Sequence, residues 1–99
     1  MKQCNVVFAP EAREDLIALY GLVATKADLD TAISYIERIE GFCNRFDFAS
    51  ERGQHRDDIR PGLRIVGFEK RLTIAFIVSD TTVSILRVFY GGQNWEERF

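Results

Sequence analysis

Ninety-nine residues with 46% hydrophobic content, eight phenylalanines and a net charge of −2 describe one well-filled globular domain over residues 1–99 rather than a disordered chain. No apolar run reaches the roughly 18 residues of a membrane span, and MKQCNVVFAPEARED lacks the apolar core of a signal peptide, so a cytoplasmic protein is expected. Cys4 and Cys43 stand in no metal-ligand spacing and there is one histidine, so buried free thiols, no metal and no cofactor are expected.

CNVVF, Cys4–Phe8, is a short β-branched and aromatic run ended by Pro10, and reads as a first strand joining a sheet edge. PEAREDLIALYGLVATK then has proline at a helix start, acids in the first turn and Lys26 at the end. Ala12, Leu16, Leu19, Tyr20 and Val23 fall on one helical face. A second helix begins near Asp28 as its cap, with Leu29, Ile33, Ile36, Cys43 and Phe46 near one stripe and Ala32, Ile39 and Phe42 widening it. The short link between the helices makes them an antiparallel hairpin. ASERGQHRDD, Ala49–Asp58, is polar and reads as a loop containing a solvated His55.

From Leu63 the period becomes two. LRIVGF (Leu63–Phe68), LTIAFIVS (Leu72–Ser79) and VSILRVFY (Val83–Tyr90) are three strands joined by hairpins. The expected fold is α+β, in the order β-α-α-β-β-β, with a helical hairpin packed on an antiparallel sheet. Two helices cover one face of that sheet only. On the opposite face Ala75 and Ile77 of the middle strand, with Leu86 and Val88 of the last, form an apolar surface fit for a protein partner; the alternative is that the tail bearing Trp95 and Phe99 folds back over it.

RPGLR, Arg60–Arg64, places two arginines around a corner that Pro61 and Gly62 make rigid. With Arg87 they suit a compact anion site, since the guanidinium fork binds carboxylate or phosphate in a fixed geometry; the alternative is pairing with Asp57, Asp58 or Glu69. Arg87 alternates with Val83, Ile85 and Phe89, so it requires a partner, internal or external. Tyr90 and Trp95 follow it and suit stacking or interface packing. Basic groups number 6 against 3 acidic ones between Arg52 and Arg71, too weak a field for strong direct nucleic-acid binding.

The element order, RPGLR before a strand, and ILRVFYGGQNWEERF at the end together resemble the ParE branch of the ParE/RelE toxin superfamily. FAPEAREDLIALYGLVA is similar to the family's opening strand and helix. The closing pattern I-x-RV-x-H-G-x-x-D reads here with Tyr90 for the usual histidine and Asn94 for the usual aspartate. The resemblance implies the toxin of a type II toxin–antitoxin system, non-enzymatic, with no catalytic residue of its own. It would cause growth arrest by trapping DNA gyrase on cleaved DNA, and a ParD-like antitoxin would neutralise it in a hetero-oligomeric complex. Arg60, Arg64, Arg87, Tyr90 and Trp95 would then serve toxicity, and Ala75, Ile77, Leu86 and Val88 antitoxin binding. The alternatives are a RelE-like ribosome-dependent mRNA endonuclease and a degenerate toxin that only binds its antitoxin.

Overall fold

The computed structural model describes residues 5–45, 53–79, 81–91 and 96. Along these residues strand β1 (Asn5–Phe8) leads into helices α1 (Pro10–Lys26) and α2 (Leu29–Asn44). Strands β2 (Gln54–His55), β3 (Leu63–Phe68), β4 (Leu72–Val78) and β5 (Thr82–Tyr90) follow. The result is α+β: two helices packed on a five-stranded mixed sheet of order β1-β5-β4-β3-β2.

Local chemistry explains the element ends. Pro10 opens α1, where its fixed φ suits a helix and its missing N–H removes no bond. Glu11 in the first turn and Lys26 in the last match the helix dipole. Asp28 caps α2 by accepting from the Thr31 amide at 2.7 Å, and that bond holds its carboxyl below the ordinary range. Strands β3, β4 and β5 form an antiparallel meander, and β1 joins the β5 edge in parallel.

One face of the meander carries the main core. Ala12, Leu16 and Leu19 of α1 and Tyr35, Ile39 and Cys43 of α2 meet Ile74 and Phe76 of β4 and Val83, Ile85 and Val88 of β5. The α2 stripe differs from its expected position. It runs through Ala32, Tyr35, Ile39 and Cys43, while Leu29 and Ile33 are 59% and 44% exposed. Both stripes satisfy a three-and-four spacing; the helix turns inward the one that begins with the small Ala32, at 0% exposure, and leaves the bulkier Leu29 and Ile33 outward. Phe46 lies outside the described residues. The expected loop also contains structure, because Gln54 and His55 pair with Ile65 and Arg64 and add a short outer strand.

Strand β5 departs from strict alternation. Ala75 pairs with Arg87 but Phe76 pairs with Ile85, so Leu86 is an extra residue in the ladder, a β-bulge. Val83 and Ile85 face the helices before it, and Val88 faces them after it. Phe89 turns to the far face with Leu86. Assigning Val88 to the partner face beside Leu86 is thereby corrected: at 5% exposure it belongs to the helix-side core. The far face is also less open than a two-layer reading implies. Leu63 and Ala75 are 0% exposed and Phe89 2%; Ile77, Leu86 and Ile65 are half-buried around them, with Ile59 from the turn before β3 packed alongside. Ala75 is consequently buried in the free chain.

Two glycines respond oppositely to a methyl group. Gly53 has φ 91°, and a Cβ there would stand 2.6 Å from the Ile65 carbonyl oxygen, so Gly53→Ala lowers stability by about 1–3 kcal/mol in urea unfolding. Gly21, inside α1 with open space around it, gains about 0.5–1 kcal/mol as alanine in the same assay. Burial pushes the Cys43 thiol up to about 12 from 9.0, Glu40 adding to the effect. A raised thiol pKa supports the fold fully below pH 9 and is lost as pH climbs toward 12. The urea midpoint therefore declines more steeply above pH 9 in the unaltered protein than in Cys43→Ala.

Candidate functional site

Strand β1 accompanies β5 only as far as Phe8, opposite Ile85, and the Ala9 amide adds one bond to the Ile85 carbonyl at 2.8 Å. Past that point the β5 edge would present unpaired peptide groups. Asp15 of α1 closes it. Its Oδ2 accepts from the Val88 amide at 2.9 Å and from Arg87 Nε at 2.8 Å, and its Oδ1 accepts from Arg87 Nη2 at 2.9 Å. The two side chains are 16% and 18% exposed, so this is a largely buried, charge-assisted fork. Hydrogen bonding to Asp15 above all, with Glu11 and Glu14 adding to the negative field, raises the Arg87 pKa further and keeps it charged. The guanidinium also lies over the Phe89 ring, 4.8 Å from its centre. The partner that Arg87 requires is thus internal. Asp15 escaped sequence reading because it is one of several acids near a helix start, and only the bulge at Leu86 brings Arg87 to it.

Arg60 and Arg64 lie elsewhere, since β4 separates their strand from β5. The RPGLR corner is a turn closed by the Leu63 amide on the Arg60 carbonyl at 3.0 Å, with Gly62 at φ 81°, as a Pro-Gly type II turn requires. Arg60 is exposed on it; Arg64 is half-buried, in register with His55 on β2 and Phe76 on β4. The acids expected to pair with these arginines are otherwise engaged. Asp57 accepts from the Gly62 amide at 2.8 Å, and Asp58 receives a fork from Arg56 at 3.0 and 2.9 Å, which lowers its pKa. Glu69 is held by Arg38. Arg56 additionally binds Glu96, fastening that residue to the turn before β3.

Tyr90 sits at the opposite end of the sheet from the RPGLR corner. It pairs with Leu72, and the next residue, Gly91 at φ 77°, donates to the Arg71 carbonyl at 2.7 Å. In the three-residue loop between β3 and β4, Glu69 and Lys70 take φ values of 50° and 68°, a left-handed conformation that asparagine and glycine adopt more readily. Arg38 pins this turn by gripping Glu69 at 3.0 and 3.2 Å and lies over Tyr35, 5.3 Å from the ring centre. Burial, then the neighbouring Tyr90, raises the Tyr35 phenol. Trp95, Gln93 and Asn94 lie outside the described residues.

The large exposed apolar side chains are concentrated on the helical hairpin rather than the sheet. Ile17 is 70% exposed and lines a groove of about 370 Å³ with Leu16, Tyr20 and Ile36, between Arg13 and Glu40. Among the described residues no group of three His, Cys, Asp or Glu could hold a metal ion, and no helix is long and apolar enough to cross a membrane.

Residues 6–95 match the family model described as ParE toxin of type II toxin-antitoxin system, parDE. The chain is similar in structure to one from a chromosomal ParDE toxin–antitoxin system of P. aeruginosa, with a TM-score of 0.78 and 20% identity over 90% of this chain and 97% of that one. It is also similar to a chain of the RelBE2 toxin–antitoxin complex of Mycobacterium tuberculosis, with a TM-score of 0.54 and 21% identity over 89% and 98%. At these identities the two structures establish the shared fold. No curated protein sequence is significantly similar to the chain.

Removing either half of the buried fork leaves a charge and, for Asp15, the Val88 amide without a partner. Asp15→Ala and Arg87→Ala each lower unfolding free energy by about 2–3 kcal/mol, and the double variant loses much less than their sum. A double-mutant cycle in urea measures this coupling.

Proposed function

The chain belongs to the ParE toxin family of type II toxin–antitoxin systems, and from that premise we propose that it inhibits DNA gyrase, trapping the enzyme on cleaved DNA, and is neutralised by a ParD-like antitoxin in the cytoplasm. The family match over nearly the whole chain carries this reading. A binding mode of action, rather than catalysis, also agrees with the site chemistry. An endonuclease that activates a 2′-hydroxyl needs a base poised near neutral pH. Near Tyr90 the carboxylate of the β3–β4 turn, Glu69, is committed to Arg38, and the Tyr35 phenol is pushed further from neutrality. His55 lies exposed on β2, at the outer edge of the sheet beyond β3.

The roles proposed for the expected residues divide by position. Arg60, Arg64 and Tyr90 present side chains at the two ends of the sheet for target contact, together with Trp95. Arg87 acts as a positioning residue that locks α1 onto β5. For the antitoxin, Ile77 and Leu86 remain accessible in part on the far face, and Ala75 becomes reachable only if its cover is displaced. The groove around Ile17 is the more open apolar surface, and a partner segment with apolar anchors would bury it.

The test uses toxin freed of antitoxin, incubated with gyrase, supercoiled plasmid and ATP, then denatured. Linear DNA above the gyrase-only control is expected. Its absence, from toxin that still arrests growth, would move the assignment to mRNA cleavage, read by primer extension on ribosome-bound transcripts. Toxin that neither cleaves RNA nor arrests growth while binding antitoxin would be degenerate. For the partner surface, Ile17→Asp is expected to weaken antitoxin binding at least tenfold in titration calorimetry without changing the circular dichroism spectrum.

A further inference from the structure

The corner between the β3–β4 turn and the end of β5 contains a charge arrangement that the proposed function does not yet use. Arg38 neutralises Glu69 through a two-point ion pair, which leaves Lys70 and Arg71 as a local excess of positive charge in a protein of net charge −2. Both are exposed, and among the described residues neither side chain takes part in an ion pair. The backbone beneath them is held from two directions. Arg38 on α2 fixes the turn through Glu69, and the Gly91 amide on the Arg71 carbonyl ties it to β5. Lys70 takes φ 68°, a conformation that asparagine or glycine would adopt with less strain. Two exposed cations without an ion-pair partner among the described residues, side by side on a turn tied to the neighbouring strand, are a reason to look for an anionic ligand.

We propose that Lys70 and Arg71, on the turn that the backbone ties to the end of β5, form a phosphate-binding corner that holds one DNA strand within the target complex. This rests on the gyrase reading above. A lysine and an arginine supply a point charge and a planar fork, both suited to phosphodiester oxygens. The corner is equipped to hold a strand and not to cut it, because Glu69, the acid of the turn, is already engaged by Arg38. Two cations on a single strand displace only about 1.4 counterions, so the contact is weak alone and gains from a strand already positioned by the enzyme.

The direct test does not involve gyrase, so its failure is separable from failure of the gyrase reading. A fluorescent single-stranded oligodeoxynucleotide is titrated with purified toxin at several low salt concentrations and followed by anisotropy. Weak binding is expected, with affinity falling in a log–log salt plot at a slope of about −1.4, the value for two phosphate contacts on a single strand. In Lys70→Asn/Arg71→Gln, where asparagine tolerates the turn geometry, the slope should approach zero while antitoxin binding is retained. The paired variant Arg60→Gln/Arg64→Gln should bind the oligonucleotide as the unaltered toxin does. The proposal is overturned by a salt slope unchanged in the Lys70/Arg71 variant, or by binding lost in the Arg60/Arg64 variant instead. It is also overturned if polyglutamate of equal charge competes as well as the oligonucleotide, which would indicate an acidic protein surface, or if an RNA oligonucleotide is cleaved at the corner.

Discussion

The open edge of β5 is the constraint on which the arrangement depends. A four-residue β1 can satisfy only the first half of a nine-residue neighbour, and an unpaired edge running beside a helix costs hydrogen bonds that neither water nor core can supply fully. The Asp15 carboxylate meets that cost. It continues the ladder where β1 stops, by taking the Val88 amide, and it satisfies Arg87 with the same two oxygens. Helix α1 is thereby set against β5 by a directional contact as well as by the packing of Ala12, Leu16 and Leu19. An apolar face alone leaves a helix free to slide along a sheet; a two-point ion pair with a third bond to the backbone does not.

The bulge at Leu86 belongs to the same device. An extra residue in β5 changes which side chains face the helices, so that Ile85 and Val88 both enter the main core, and it leaves Arg87 beside the edge where Asp15 waits. It also moves Phe89 to the far face, where it joins Leu63 and Ala75 in a second, smaller cluster. A sheet with a packed cluster on each side is stiffer than a two-layer fold, which matters for a molecule whose proposed activity is binding. Surfaces at both ends of the sheet are then carried on a frame that keeps its shape.

Those ends are chemically distinct. At the RPGLR end, Arg56 is paired with Asp58 and Glu96 and Asp57 is spent on the backbone of the turn, while Arg60 stays exposed. At the Tyr90 end one ion pair is closed and two cations remain. The arginine-rich stretch therefore contributes more to structure than its composition suggests. The lone pair Lys70 and Arg71, unremarkable in sequence, contributes more to the available surface charge.

Sequence alone determined the class of fold and every described element but the short β2 strand, because those follow from local signals: Pro10 at a helix start, the Asp28 cap, period-two apolar runs from Leu63, and a Pro-Gly corner. It also determined the family, since RPGLR and ILRVFYGG stand in a recognisable order. Tertiary structure alone decided the faces and partners. The reversal at Leu86 is a property of pairing between two strands, which no single strand's pattern records, and so Val88 and Phe89 exchange sides. Whether α2 turns Ala32 or Leu29 inward depends on the surface it meets. Asp15 and Arg87 are separated by 72 positions, and the many acids nearer to Arg87 in the chain offer no local reason to choose that one. Long-range charge pairing is set by where backbones come together, and that information exists only in the folded chain.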